Sequence, residues 1–464
     1  MNTKKKIIGI FLDHDLFIRN FIFSKVFLSL ERKYKIIYIF PNEENRPGVR
    51  RRITKGLINK LKIKNKKIIQ VDFKRHKFLR FFHLVSNLFF SRYKTGLDKK
   101  AFLHFNYHSI NSRSVTIIFR FLSLYPIFFI TSWVFKNIIL KDNIFLKEAL
   151  IKNKIDLILH PTAWEGFFDS DLIDLGKKLN IPSIFLMNSW DNTNLSGMTN
   201  GHPDKYLVWG KKSKIYAEKF KKIPRENISV IGSAQFSINK SKINYKKIIK
   251  IKKKDDYILY AGSNLGLNES EHLKTIDEYI SKNNLKYKIV YRPHPWKQKA
   301  KGEKHILNFK TKNIILDPFS VKNYNNLFNF KSRNKLGIIS SMPNESSIII
   351  KKSSGVIGPI GTLMLEACWN KIPSCAIFPK TNEKTNLKNQ FKYHINLKHI
   401  QDFLKELNIP LLKDTKQLGA GLDFIIRKTK ETKFKSRIYK DSLKYLDPNI
   451  NYTKNLSVEI KKII

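Results

Sequence analysis

Residues 353–380, SSGVIGPIGTLMLEACWNKIPSCAIFPK, constrain the fold of this chain more than any other stretch. Small and apolar residues at 355–358 read as a short buried strand, and a Pro-Ile-Gly-Thr turn follows. Residues 362–370 place Leu363, Leu365, Ala367 and Trp369 among good helix formers, and Pro373 restarts the chain as the apolar strand 374–378. A strand–turn–helix–strand unit of this kind is the crossover of a parallel sheet. Gly361 lets the backbone approach a ligand, and Thr362 can cap the helix. The unpaired amides at that helix start, reinforced by the helix dipole, suit a phosphate. Glu366 lies four residues after Thr362 and projects from the same helix face, where a carboxylate can accept ribose hydroxyls. The same residues also fit an ordinary crossover with a capping threonine and a solvated glutamate.

A length of 464 residues allows two or three domains, and 42% hydrophobic residues supply their cores. The formal charge of +51 favours polyanions, anionic membrane surfaces and phosphate-bearing substrates. Lysine is scattered through every segment rather than gathered in one stripe, and no helix-turn-helix, zinc-finger or RNA-recognition pattern occurs, so nucleic acid is disfavoured. Cys368 and Cys375 fall on a helix and the buried strand after it and read as small core residues, not as a disulfide or metal pair. The opening MNTKKKIIGIFLDHD is basic, but its apolar run is too short for a signal sequence, so it reads as a first strand of a cytoplasmic protein. Residues 121–135, FLSLYPIFFITSWVF, carry no charge yet fall short of the roughly 20 residues a bilayer span needs, which favours a buried or membrane-surface helix. Upstream, residues 74–93 mix Arg75, Lys77, Arg80 and Arg92 with Phe78, Phe81, Phe82, Phe89 and Phe90. That mixture fits either a peripheral membrane contact or a core helix with solvated cations.

In chain order, strand 6–12 precedes Asp13, His14 and Asp15, an amphipathic helix to about residue 30, and strand 35–40. This opening predicts a doubly wound α/β domain whose ligands gather beyond the carboxyl ends of its strands. Asp13 to Asp15 sit at such an end, where capping the next helix competes with catalysis. After a basic-aromatic helical insert at about 72–140 come helix 145–153, strand 156–160 and the loop PTAWEGFFDSD. Glu165, among Trp164, Phe167 and Phe168, is placed as a partly desolvated general base. Asp169-Ser170-Asp171 matches an Asp-x-Asp metal pattern but more simply begins a helix at 172–179. Strand 183–187 leads into the loop 189–200, whose Trp190, Asp191 and Asn192 are candidates for an acceptor or cleft contact. Residues 239–255 have no clear apolar face and read as a linker. The α/β rhythm then restarts. Strand 257–261 runs into Gly262 and Ser263, and strand 288–291 ends in Arg292-Pro293-His294-Pro295, where two prolines fix the backbone around an imidazole. His294 and the Gly361-Thr362 helix start belong at one sheet edge, because parallel strands all end there. A diphosphate between them would have its charge met without metal.

The elements SWDN at 189–192, DKYLVWG at 204–210, YRPHP at 291–295, GPIGTLMLEACWNKIP at 358–373 and YLDPN at 445–449 resemble those of bacterial surface-polysaccharide transferases of the GT-B type. The His-Pro element and the spacing of Thr362 to Glu366 are similar to those of CDP-glycerol glycerophosphotransferases, capsule Kdo transferases and bacterial sialyltransferases. The resemblance covers about residues 155–450. It implies two Rossmann-like domains facing across a cleft: an N-terminal acceptor-binding domain at 1–238, the linker, a C-terminal nucleotide-sugar donor domain at 256–430, and a helical tail at 431–464. It implies that His294 and Thr362 contact donor phosphate and Glu366 the ribose, with Arg292, Gly361 and Ser263 assisting. Glu165-Gly166 resembles the acid-Gly element that supplies the base, although Trp164 stands where those enzymes often have a second acid; Asp13 and His14 are the substitutes. The implied activity is metal-independent glycosyl transfer, with no cofactor beyond the nucleotide-sugar co-substrate, to a glycan or lipid-linked acceptor at the anionic inner face of the cytoplasmic membrane. A sugar-nucleotide epimerase, a glycerophosphotransferase and a basic membrane-docked scaffold without chemistry are the rival readings.

Overall fold

The computed structural model describes residues 5–42, 67–71, 113–139, 142–164, 167–195, 201–236, 256–262, 269–294, 311–320, 343–378, 397–447 and 449–464, with isolated positions at 58, 61, 82, 85, 86, 88, 89 and 395. These form two compact units, one holding the described residues to 236 together with 446–464, the other those from 256 to 445. The linker at 239–255, the loop end 196–200 and most of the 72–112 region lie outside the described residues.

The first unit is built on a seven-stranded parallel sheet in the order β3-β2-β1-β4-β5-β6-β7. Its strands are β1 (Ile7–Phe11), β2 (Lys35–Pro41), β3 (Lys67–Val71), β4 (Leu157–Thr162), β5 (Ser183–Met187), β6 (Lys205–Val208) and β7 (Ile228–Val230). Sequences such as IIGIF and LILHPT are buried along their whole length, as strands covered on both faces must be. The second unit repeats the plan with six parallel strands ordered β10-β9-β8-β11-β12-β13. These are β8 (Asp256–Ala261), β9 (Tyr287–Arg292), β10 (Ile314–Leu316), β11 (Gly355–Gly358), β12 (Ser374–Ile377) and the short β13 (Leu411–Leu412). Residues 353–380 thus form the crossover that their pattern predicts, with both cysteines buried and unbridged.

The covering helices are α1 (Leu28–Lys33), α2 (Arg113–Leu122), α3 (Tyr125–Val134), α4 (Ile144–Lys152), α5 (Phe167–Lys178), α6 (Lys211–Lys221), α7 (Glu269–Lys282), α8 (Pro343–Lys351), α9 (Thr362–Trp369), α10 (Lys398–Glu406), α11 (Leu418–Lys430), α12 (Thr432–Ser442) and α13 (Tyr452–Lys461). Several differ from expectation. The single helix expected at 121–135 is two helices, because Leu124 is extended and Pro126 occupies the first turn of α3. The helix after β1 breaks where Lys25 turns left-handed. The expected tail divides: α12 belongs to the second unit, whereas 446–464 join the first, with Tyr452 edge-on to Phe21 and Glu459 accepting from Ser229 at 3.1 Å.

One backbone approach fixes where the second sheet changes direction. Gly358 ends β11 at φ +152°, and a β-carbon there would lie 2.3 Å from the carbonyl oxygen of Ala261 on β8. No side-chain rotation relieves a clash with backbone. Gly361 differs, since its nearest neighbour would lie 4.0 Å away and its φ is extended. Gly358→Ala should therefore cost more than about 3 kcal/mol or prevent folding. Gly361→Ala should cost no more than about 1 kcal/mol. Urea unfolding of both variants checks the contrast.

Candidate functional site

In each sheet the strand order reverses between two neighbours, β8 and β11 in the second unit and β1 and β4 in the first. Ligands of doubly wound sheets collect beyond the carboxyl ends of such strands. The second unit brings its expected site residues to this edge. Ala261 pairs with Arg292 across β8 and β9, and Tyr260 pairs with Ile357 on β11. A β-carbon on Gly262 would lie 2.9 Å from the His294 amide nitrogen, the Arg292 carbonyl oxygen and a Glu269 carboxylate oxygen. The ends of β9, β8 and β11 are thus in backbone contact; Arg292 is the last residue of β9, and His294, Gly361 and Thr362 follow the strand ends within four residues. Glycine rather than Thr362 occupies the capping position of α9, so Thr362 is the first helical residue. Gly361 offers no side-chain cap, and the Met364 amide donates to the Gly361 carbonyl at 3.0 Å. Glu366, one turn on, is buried. Ser263 lies outside the described residues.

A buried polar layer underlies this edge and carries no motif in the sequence. Tyr291 donates to Glu269 at 2.5 Å, Tyr260 bonds His272 at 2.7 Å, and the two tyrosine rings meet at 5.6 Å. Burial, helped by the Glu269 charge, pushes the Tyr260 hydroxyl well above the ordinary tyrosine range. Arg292 is buried, with its guanidinium 3.8 Å from Asp317, which also accepts from the Ser320 hydroxyl at 2.7 Å. Asp317 therefore shares the guanidinium that the resemblance offers as an assistant at the donor site.

At the first unit's edge Asp13 is half-buried and His14 buried. His14 takes the capping role expected of its acidic neighbours, accepting the Leu16 amide at 3.2 Å. Glu165 lies outside the described residues. Beside it, Trp164 is left-handed at φ +55°, a conformation uncommon for a bulky residue. Its indole donates to Tyr206 at 2.7 Å, and its amide donates to the Thr162 hydroxyl, which in turn donates to Asp169. Helix α5 starts at Phe167, earlier than expected, and so carries Asp169 inward to His160. The two His160 ring nitrogens face acceptors, the Phe11 carbonyl at 3.0 Å and Asp169 at 3.1 Å. Both can be satisfied only if the ring is protonated. Burial opposes that charge, but Asp169, Asp13 and the Phe11 carbonyl outweigh it and hold the pKa above the ordinary value. Lys221 sits 5.4 Å over the Trp164 ring, and burial pulls its amine down to about 7 against the opposing pull of Asp169. Asp171 accepts from Asn143, so the Asp-x-Asp pair is engaged in local bonds. Among the described residues no group of three or more metal-ligating side chains occurs.

The 189–192 turn is held tightly. Trp190 is buried, Asn192 accepts the Ser189 amide at 2.6 Å, and burial raises the Asp191 carboxyl above the usual carboxylate range. Asn188, just before, accepts from Asn20 at 2.8 Å. Of this trio, the burial of Trp190 makes it part of the frame.

No protein-family model matches the sequence, and no curated protein matches it. Solved structures do match, along almost their whole length. A protein from Listeria monocytogenes described as a UDP-N-acetylglucosamine 2-epimerase aligns at TM-score 0.55 and 9% identity, over 99% of this chain and 96% of that one. The calicheamicin glycosyltransferase CalG4 aligns at 0.52 and 10%, over 99% and 98%. The UDP-GlcNAc 2-epimerase of Neisseria meningitidis, solved with UDP-GlcNAc bound, aligns at 0.52 and 13%, over 98% and 100%. At such identities the likeness establishes the fold, which is GT-B.

The His160–Asp169 pair yields a signed pH effect. Because the folded-state pKa of His160 lies above 6.5, its stabilisation is complete below about that pH and is lost as pH rises through the folded value. His160→Gln should cost about 3–5 kcal/mol at low pH, where it leaves a buried carboxylate without its cationic partner. The difference from the native chain should shrink as pH rises through the folded value. Urea unfolding of both proteins across that range tests this; a constant difference contradicts it.

Proposed function

We propose that this chain is a nucleotide-sugar-dependent glycosyltransferase that delivers a sugar, without a divalent metal, to a membrane-associated or surface-polysaccharide acceptor. The convergence at the second sheet's switch point carries the reading. Gly262 and Gly358 allow three strand ends to close up, and that closure sets His294 and the start of α9 at one edge. In this reading the α9 amides and His294 meet the donor phosphates, and Glu366 takes the ribose. Arg292, tied to Asp317, adds positive field rather than a mobile contact. The departing nucleotide phosphate is then stabilised electrostatically as the glycosidic bond breaks. In the first unit Glu165, or Asp13 or His14 in its place, takes the acceptor proton. The Asp169–His160 pair and the left-handed Trp164 brace the strand end from which Glu165 follows.

The epimerase reading draws support from the same comparisons, since two of the similar structures are described as UDP-GlcNAc 2-epimerases. It requires no acceptor. Incubation with UDP-GlcNAc alone, followed by NMR, separates the two, since only an epimerase forms the epimer.

A thermal-shift panel of CMP, CDP, UDP, GDP and dTDP should identify one preferred nucleotide, which at a hundred times its Kd stabilises by about 2.7 kcal/mol. Glu366→Ala should abolish most of that shift. Glu165→Ala should leave the shift intact while lowering turnover by about a hundredfold or more. A protein indifferent to every nucleotide, or full activity in both variants, would remove the assignment.

A further inference from the structure

The helices α2 and α3 expose several large apolar side chains. Their inner side is satisfied: Phe119 and Phe128 join Val85, Leu88 and Phe89 in a buried cluster, with Phe89 and Phe128 stacked at 3.9 Å. The outer side is apolar and open. Ile117 and Ile130 are each 66% exposed, Trp133 61% and Phe121 56%. Tyr125, Phe129 and Trp133 are spaced four residues apart and share a helix face, and Ile138 (63% exposed) extends the strip beyond α3. So many large apolar side chains in one place exceed what a solvated helix pair carries without a binding role.

We propose that α2 and α3 form a shallow docking surface for a bilayer containing anionic lipid. Three observations select a bilayer over a protein partner. The first is charge. Residues 113–139 contain no acidic residue, but they contain three basic ones, Arg113, Arg120 and Lys136. Arg120 is itself exposed beside Phe121. A helix pair without acids suits lipid phosphates, each nearby cation contributing about 1 kcal/mol. The second is composition: Trp133 and Tyr125 among aliphatic neighbours are the side chains that settle at the headgroup boundary. The third is length. Each helix has 10 residues and spans about 15 Å, half of a roughly 30 Å hydrocarbon core. Among the described residues no helix is long and apolar enough to cross a membrane. The pair therefore lies in the interface with its apolar side down. This inference rests on the first unit alone and stands whether or not the second unit binds a nucleotide.

The test is co-sedimentation of the full chain with vesicles of phosphatidylcholine, or of phosphatidylcholine with phosphatidylglycerol. Binding to the anionic vesicles should be tighter by about tenfold or more and should weaken with salt. The triple variant Phe121→Ser, Ile130→Ser, Trp133→Ser should lose about tenfold in affinity for anionic vesicles with its melting temperature unchanged. On the native chain, the same vesicles should slow hydrogen exchange at residues 113–134, a readout that needs no variant. Equal binding by native and triple-variant proteins would show that scattered charge alone drives adsorption and would overturn the proposal. So would absence of vesicle binding or of exchange protection. Self-association on light scattering, abolished in the triple variant and unaffected by vesicles, would assign the surface to a second copy of the chain instead.

Discussion

The closeness of β11 to β8 governs the second unit. Parallel strands meet at a fixed spacing, yet at the end of β11 the chain must turn away over the neighbouring backbone, and the Ala261 carbonyl occupies the volume a side chain would need. Glycine at 358 is the solution. From it follow the direction of the turn, the position where α9 begins and the open edge between β8 and β11. Gly262 repeats the device one strand over, against the Arg292 carbonyl and the His294 amide. The candidate donor site is thus a consequence of backbone proximity first and of side-chain chemistry second.

Charge is partitioned just as sharply. The chain has 37 acidic residues against 88 basic ones, and several of the acids are turned inward. Asp169 accepts from the His160 ring, Glu269 from the Tyr291 hydroxyl and Asp317 from the Ser320 hydroxyl. Each stabilises a strand end or a buried polar group that would otherwise be desolvated without a partner. What remains outside is more positive than composition alone implies. Such a surface raises the local concentration of phosphate-bearing molecules, whatever their identity.

Much of this was legible in the sequence, for a physical reason. A strand buried on both faces has to be apolar throughout, so IIGIF, LILHP, YILYA and GVIG stand out without an alignment. Residues that follow such strands lie at the carboxyl edge by topology, which is why the strand-end positions of Asp13, His294 and Thr362 are legible in the sequence. The partners were not legible. Asp317, Glu269, Asp169 and Lys221 are ordinary helix-end or strand-end residues until the fold buries them beside Arg292, Tyr291, His160 and Trp164. Neither was the break between α2 and α3, because a charge-free run hides a proline's effect on local geometry, nor β13, which has two residues and no pattern.

The return of residues 446–464 to the first unit has a consequence for how the polypeptide is made. Tyr452 lies against Phe21, and Ile450 against Gly232, but more than two hundred residues of the other unit are synthesised between these partners. On the ribosome, then, the sheet of the first unit emerges before the second unit yet stays unsealed along that side until residues 446–464 appear. The two units cannot mature as independent beads on a string; the first is completed only after the second has been made.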